Sequence, residues 1–270
     1  MKKGYVFNNA EDETRRRFAA LPAMYDPGTV QHLERLGVRE GWRCLEIGAG
    51  GGTIAKWLGD RVGPTGSVLA TDLDTRFLEQ LDLPNVEVRR HNIESDPLPS
   101  NAFDIIHLRL VLVHLLSRDE VLRSLVGSLR RGGWLIAEEF DSLSMPPDPE
   151  ANPAETALQT DAVFREVMTG RGLDLRYGRK LPSRLEGLGL VDVDAEGRVP
   201  LWRGGHYGGM LMRANFEQLR EEILAMGHLT VNQFERDLER LDDEDFVRPS
   251  SVMWAAWGRR RRAEESSGSD

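Results

Sequence analysis

The chain has 270 residues, 40% of them hydrophobic and 29% charged, a globular composition with room for one large α/β domain or a core with an added cap. A formal charge of −9 and a single cysteine weigh against a broad nucleic-acid footprint and exclude an intrachain disulfide. No apolar run reaches the length of a bilayer span, and Met1 to Tyr5 is not followed by the apolar stretch of a signal peptide, so cytoplasmic residence without membrane or nucleic-acid partners is the expectation.

Residues 1–40 are expected to form a helical lid. Phe18 and Leu21 share a face, and Pro22 should end or kink that helix because it has no N–H to donate. A second helix carries Val30, Leu33 and Leu36, with Gly37 suited to its C-terminus. Tyr5, Phe7 and Tyr25 precede the first core strand, where they can cover a ligand or simply pack.

The stretch from Arg43 to Ala55 holds the strongest signal. An apolar run with Cys44 inside it ends at Glu46-Ile47-Gly48-Ala49-Gly50-Gly51-Gly52-Thr53. Ile54, Trp57 and Leu58 then fall at helical spacing. This reads as strand, tight turn, helix, the place where open α/β sheets hold ligands. Glycine allows positive φ and close backbone approach. A dinucleotide fingerprint needs G-x-G-x-x-G, and Thr53 stands where its third glycine should be. The pattern E-x-G-x-G-x-G is filled by Glu46, Gly48, Gly50 and Gly52.

Ser67 to Asp72 is a second strand ending in an acid, just over twenty residues past the glycines. A carboxylate there can accept from two ribose hydroxyls. Asp74 suits the N-cap of a short helix through Phe77 and Leu81, and Leu73 can pack on a base. Val86 to Arg90 alternates as a third strand running into His91-Asn92-Ile93-Glu94. Phe103 to Arg109 is a fourth strand, with an exit helix from Leu110 to Leu115 that includes His114. A helix from Arg118 should stop at Gly132-Gly133, before a fifth strand from Trp134 to Asp141. Strand and helix thus alternate five times between 41 and 141, which implies a mostly parallel sheet.

A Pro-rich connector from Ser144 to Pro153 follows. Helices are expected over 154–168 and 181–188, and a strand over 191–199. The stretch 202–226 is rich in Gly and Met and suits either a mobile cover or core packing. A helix over 231–241 and a last strand over 250–258 complete the pattern. Arg259 to Arg262 begins a solvated, frayed tail. The six His are scattered, and no metal cluster has convincing ligand spacing.

The glycine pattern with Asp72 resembles the class I S-adenosylmethionine-dependent methyltransferases, and the wider chain is similar to bacterial members that act on small molecules and secondary metabolites. The resemblance implies a Rossmann-like fold with a seven-stranded mostly parallel sheet, its last strand antiparallel, and lid segments at the N-terminus and after strand 5. The division it suggests is an N-terminal lid over 1–40, a cofactor-binding core over 41–141, a capping insertion over 142–230, a final helix and strand over 231–258 and a tail over 259–270. It implies S-adenosyl-L-methionine as cofactor, held by Tyr25, Glu46, Gly48, Gly50, Gly52, Asp72, Leu73, Asn92, Ile93, Leu108 and Arg109. Relatives commonly carry Asp where this chain has Asn92, whose amide oxygen can still accept from adenine. Leu108 would supply a backbone carbonyl. Arg109 can meet the methionine carboxylate, a substrate anion, or a surface ion partner.

The activity implied is methyl transfer to an oxygen, nitrogen or carbon nucleophile of a small molecule, by a monomer or homodimer. Where the acceptor needs a base, His114 leads, with His206 and Glu139 behind it. Two alternatives share the cofactor: non-methylating chemistry such as a cyclisation, and a non-catalytic S-adenosylmethionine-binding subunit.

Overall fold

The computed structural model describes residues 11–78, 80–143 and 157–266. Its contacts divide the chain into two compact units. One comprises Gly28–Phe140, Tyr177–Gly197 and Met253–Asp270; the other comprises Met1–Pro27, Asp141–Arg176 and Arg198–Val252. These boundaries differ from the sequence-based division. Residues 177–197 fall with the sheet, whereas 231–252 falls with the helical unit.

The first unit is built on a seven-stranded sheet of order β3-β2-β1-β4-β5-β9-β6. Its strands are β1 (Arg43–Ile47), β2 (Ser67–Asp72), β3 (Val86–Arg90), β4 (Phe103–Arg109), β5 (Leu129–Asp141), β6 (Val191–Arg198) and β9 (Val252–Arg259). The first five pair in parallel. At the start of β5, Gly132 N–H donates to the Arg260 carbonyl (2.9 Å) and Arg260 N–H to the Gly133 carbonyl (2.8 Å). Near its other end, Trp254 and the Glu139 carbonyl border the same Gly178. β9 therefore runs against β5, as a closing antiparallel strand should.

Side chains along a strand alternate between faces, and the two faces have separate cores. Leu45, Ile47, Ile106, Leu108, Leu135 and Ala137 pack on one face with α3 (Arg118–Ser128) and α5 (Tyr177–Gly187). Cys44, Ile105 and Ile136 pack on the other with Leu33, α2 (Thr53–Val62) and Trp257. Cys44 is 1% exposed and forms no disulfide. The even alternation of strand and helix holds only in part. A single 3-10 turn (Thr75–Leu78) follows β2, a turn follows β3, and the exit from β4 is a 3-10 turn (Leu112–His114).

The N-terminal segment is one helix, α1 (Glu11–Arg35), which runs through both Pro22 and Pro27. The expected break is absent, and the buried side chains Ala20, Tyr25, Thr29 and Leu33 recur along it at about one turn. Burial of that stripe outweighs the donors the prolines remove. The arginine run also departs from expectation. Arg259 pairs with Asp192 and Glu265, and Arg260 Nη1 reaches Asn101 Oδ1 at 2.7 Å, so the chain is tied down through this run.

The helical unit contains α4 (Gln159–Gly170), α6 (Tyr207–Gln218), α7 (Arg220–Ala225) and α8 (Val231–Asp242). It also holds an unforeseen two-stranded sheet of β7 (Leu201–Arg203) and β8 (Val247–Pro249). Phe164 of α4 and Phe216 of α6 pack with their rings tilted by 59° and their centroids 5.4 Å apart. Leu158 offers α4 no side-chain cap, and Asp237 of α8 supplies one by accepting from Thr160 N–H at 2.7 Å. The expected lid aromatics Tyr5 and Phe7, and the connector from Ser144 to Pro153, lie outside the described residues.

Candidate functional site

The C-terminal ends of β1, β2 and β4 converge on the glycine turn. Gly48, Gly50 and Gly52 have φ of 67°, 54° and 80°, a region that costs other residues about 1–2 kcal/mol. A Cβ at Gly48 would lie 2.5 Å from Val111 Cγ2. The same turn meets Asp72, whose Oδ2 accepts from Gly50 N–H at 2.9 Å and whose Oδ1 accepts from Asp74 N–H at 3.0 Å. Each oxygen keeps a further lone pair for an incoming hydroxyl. Burial raises the Asp72 pKa, against the backbone N–H groups that favour its anion. Leu73, next along, is 50% exposed, an apolar platform beside a polar one.

The other expected ligand positions are spread around this turn. Asn92 is exposed, and its side-chain oxygen accepts from Glu94 N–H at 3.1 Å, closing a local turn. Ile93 is half-buried against the core. Leu108 is fully buried, in register with Ile47 and Ala137. Tyr25 is buried in the part of α1 that belongs to the helical unit. His206 occupies the N-cap position of α6 in that same unit.

The chain leaves β4 in a strained turn. Leu110 has φ 56°, rare for a residue with a Cβ. Its N–H donates to the Glu138 carbonyl at 2.8 Å. The next two N–H groups, of Val111 and Leu112, donate to Glu139 Oε1 at 3.0 and 2.6 Å. His114 closes the 3-10 turn that follows. Glu139 is fully buried, and burial pushes its carboxyl up to about 8 despite those backbone donors. Its bonds give it the task of holding this turn.

Beneath the glycines lies a buried polar chain. Glu46, His107 and Glu138 come from the adjacent strands β1, β4 and β5, all nearly inaccessible. His107 Nδ1 is 2.7 Å from Glu46 Oε2, and its Nε2 is 3.4 Å from Glu138 Oε2. The Thr29 hydroxyl donates to Glu138 Oε2 at 2.5 Å, and Arg109 Nη1 donates to Thr29 Oγ1 at 2.9 Å. His32 Nδ1 is 3.3 Å from Glu138 Oε1, and its Nε2 is 3.4 Å from Glu196 Oε2.

Burial disfavours a charged imidazole, yet the carboxylates outweigh it and push His107 up to about 9. Burial likewise opposes the Glu138 anion, but hydrogen bonds from His107 and His32 hold it well below the usual carboxylate range. Burial raises Glu46, against His107 and Arg109. Glu46, expected to face the ligand, thus turns its carboxylate to His107 in the core.

Sequence reasoning gave His107, Glu138 and Thr29 no part in the site. The available signal was that Glu46, His107 and Glu138 each follow an apolar run within their strands, at positions the parallel register brings together. Among the described residues, no three His, Cys, Asp or Glu side chains gather as a metal site, and no helix is long and apolar enough to cross a membrane.

Comparison with known proteins bears on this geometry. A family model described as a methyltransferase domain matches residues 45–137. The ubiquinone/menaquinone biosynthesis C-methyltransferase UbiE of Hahella chejuensis is 32% identical over 130 residues, which cover 45% of this chain and 51% of that protein. The chain spans about half the length of the curated relatives it matches. Phosphoethanolamine N-methyltransferase 2 of Haemonchus contortus, solved with phosphomonomethylethanolamine and S-adenosylhomocysteine, aligns with a TM-score of 0.60 at 16% identity over 94% of this chain and 58% of that one. The [4+2]-cyclase SpnF aligns with a TM-score of 0.53 at 18% identity over 97% of this chain and 89% of that one. At these identities the two likenesses show the fold.

Proposed function

We propose that the chain, whose residues 45–137 match the methyltransferase-domain family, binds S-adenosyl-L-methionine and passes its methyl group to an oxygen, nitrogen or carbon nucleophile of a small molecule. The observation that carries this reading is the Asp72 carboxylate set against the glycine turn through Gly50 N–H. Its remaining lone pairs suit the vicinal hydroxyls of a ribose, and the exposed Leu73 beside it suits a purine face. Asn92 and Ile93 follow β3 at the position that would meet the base. Leu108 and Arg109 would meet the amino-acid end.

The bound sulfonium supplies its own leaving group. The protein's share is then to align the acceptor and exclude water. His114, on the turn held by Glu139, is our candidate base for an acceptor that must lose a proton. His206 is the second candidate for that role. The burial and backbone bonds of Glu139 support a positioning task for it instead. The similarity to the UbiE C-methyltransferases adds weight to a carbon acceptor. A second reading, the same cofactor site serving a cyclisation, draws on the fold shared with SpnF.

Calorimetric titration with S-adenosylhomocysteine and with NAD tests the cofactor. Binding of the first and not the second is expected, with Asp72→Ala weakening it by at least about tenfold. Binding of NAD alone would overturn the proposal. Release of S-adenosylhomocysteine in the presence of candidate acceptors separates methyl transfer from cyclisation.

A further inference from the structure

The hydrogen bonds beneath the glycines run in one direction. Arg109 has only donors, so Thr29 accepts from it and spends its single hydroxyl proton on Glu138. Glu138 therefore accepts from Thr29 and from His107 on the same oxygen. A neutral imidazole carries one N–H, yet both nitrogens of His107 face carboxylate oxygens. With Glu46 and Glu138 both ionised, only the imidazolium donates to both. The charges then balance: Glu46 and Glu138 against His107 and Arg109.

We propose that His107 is a positioning residue for the cofactor: shared as an imidazolium between Glu46 and Glu138, it holds Glu138 on Thr29, and Thr29 holds Arg109 for the cofactor's carboxylate. This rests on the reading of the glycine turn as the S-adenosylmethionine site. The groups that face His107 are Glu46 from β1, Glu138 from β5 and Arg109 further along its own strand, with His32 of α1 on the far oxygen of Glu138. Loss of the His107 proton leaves one buried negative charge in excess. Such a charge is costly unless paired, and the guanidinium of Arg109 is the cation able to turn inward and pair with it. An inward Arg109 is lost to a ligand carboxylate.

The test compares S-adenosylhomocysteine with 5′-methylthioadenosine, which lacks the amino-acid end. Both are titrated calorimetrically into the full chain between pH 6 and pH 10, for wild type, His107→Gln, Arg109→Ala and the double variant. We expect His107→Gln to weaken S-adenosylhomocysteine about tenfold at neutral pH and methylthioadenosine less than about twofold. As pH rises through about 9, wild-type affinity for S-adenosylhomocysteine should fall more steeply than that of His107→Gln or Arg109→Ala, in which only the ligand's own ammonium titrates. In the Arg109→Ala background, His107→Gln should add nothing.

Equal weakening of both ligands, or additive losses in the double variant, overturns the inference, since a merely structural histidine behaves that way. Should His107→Gln fail to fold, wild-type and Arg109→Ala profiles for S-adenosylhomocysteine that fall in parallel up to pH 10 overturn it. Failure of wild type to bind either ligand would instead refute the reading of the glycine turn.

Discussion

Glu138 and Glu139 are neighbours on β5 that work on opposite faces of the sheet: the Glu138 carboxylate takes the Thr29 hydroxyl, and the Glu139 carboxylate takes the N–H groups of Val111 and Leu112. The pleat alone produces this division, since successive side chains leave a strand on opposite sides. The Glu138 carbonyl adds a bond to Leu110 N–H. Two consecutive acids thus fix both the end of β4 and the turn beyond it.

Replacing Glu139 with Gln keeps an oxygen for both N–H groups and removes the titration. The folded-state pKa is raised from 4.5 to about 8, so its contribution is whole below pH 4.5 and is lost as pH rises through about 8. Urea unfolding should show wild type losing stability relative to Glu139→Gln between about pH 4.5 and pH 8, and holding level above that. Parallel pH curves for the two would refute this. Glu139→Ala, which strands two N–H donors, should cost about 2 kcal/mol or more at any pH.

Leu110 sits at φ 56°. Glycine there relieves a strain of about 1–2 kcal/mol, while alanine keeps the strain and loses the same side chain. Denaturant melts should therefore rank Leu110→Gly above Leu110→Ala by about 1 kcal/mol, the reverse of their order at an ordinary site. If alanine is the more stable of the two, the turn relaxes easily and stores no strain.

Gly48→Ala meets both a positive φ and the Val111 methyl at 2.5 Å. A loss of about 2 kcal/mol or more is expected by urea unfolding. Gly48→Ala paired with Val111→Ala should recover part of it, because the clash goes and the φ penalty stays. Full recovery would show that backbone conformation contributes nothing.

In the helical unit, Asp237→Ala removes the cap that α8 lends to α4 through Thr160 N–H. A loss of about 1 kcal/mol is expected, with Asp237→Asn milder because its amide oxygen still accepts. Identical losses would assign the effect to the carboxylate charge.

The sheet was legible because β1, β2 and β5 are largely apolar runs closed by glycine or an acid, while β3 shows alternation and β4 an apolar run, and those signals are local. The glycine turn and Asp72, which meet at Gly50 N–H, carry local signals of the same kind. The course of α1 was not, because Pro22 and Pro27 argue for breaks that burial of Ala20, Tyr25 and Leu33 overrides. His107 gained its place only from register: Glu46 opposes it directly on β1, and Glu138 stands beside Arg109 on the next pair. No spacing along the chain encodes that meeting. The inward turn of Glu46 escaped notice for the same reason, since its partner lies 61 residues away.

Cys44 lies at 1% exposure within β1, the strand at the centre of the sheet's parallel half, and it is the only thiol in the chain. A chromogenic thiol reagent can reach it only when that strand comes apart. The rate of colour formation is thus a built-in clock for opening of the sheet, readable without engineering a probe, and a ligand seated on the glycine turn should slow it.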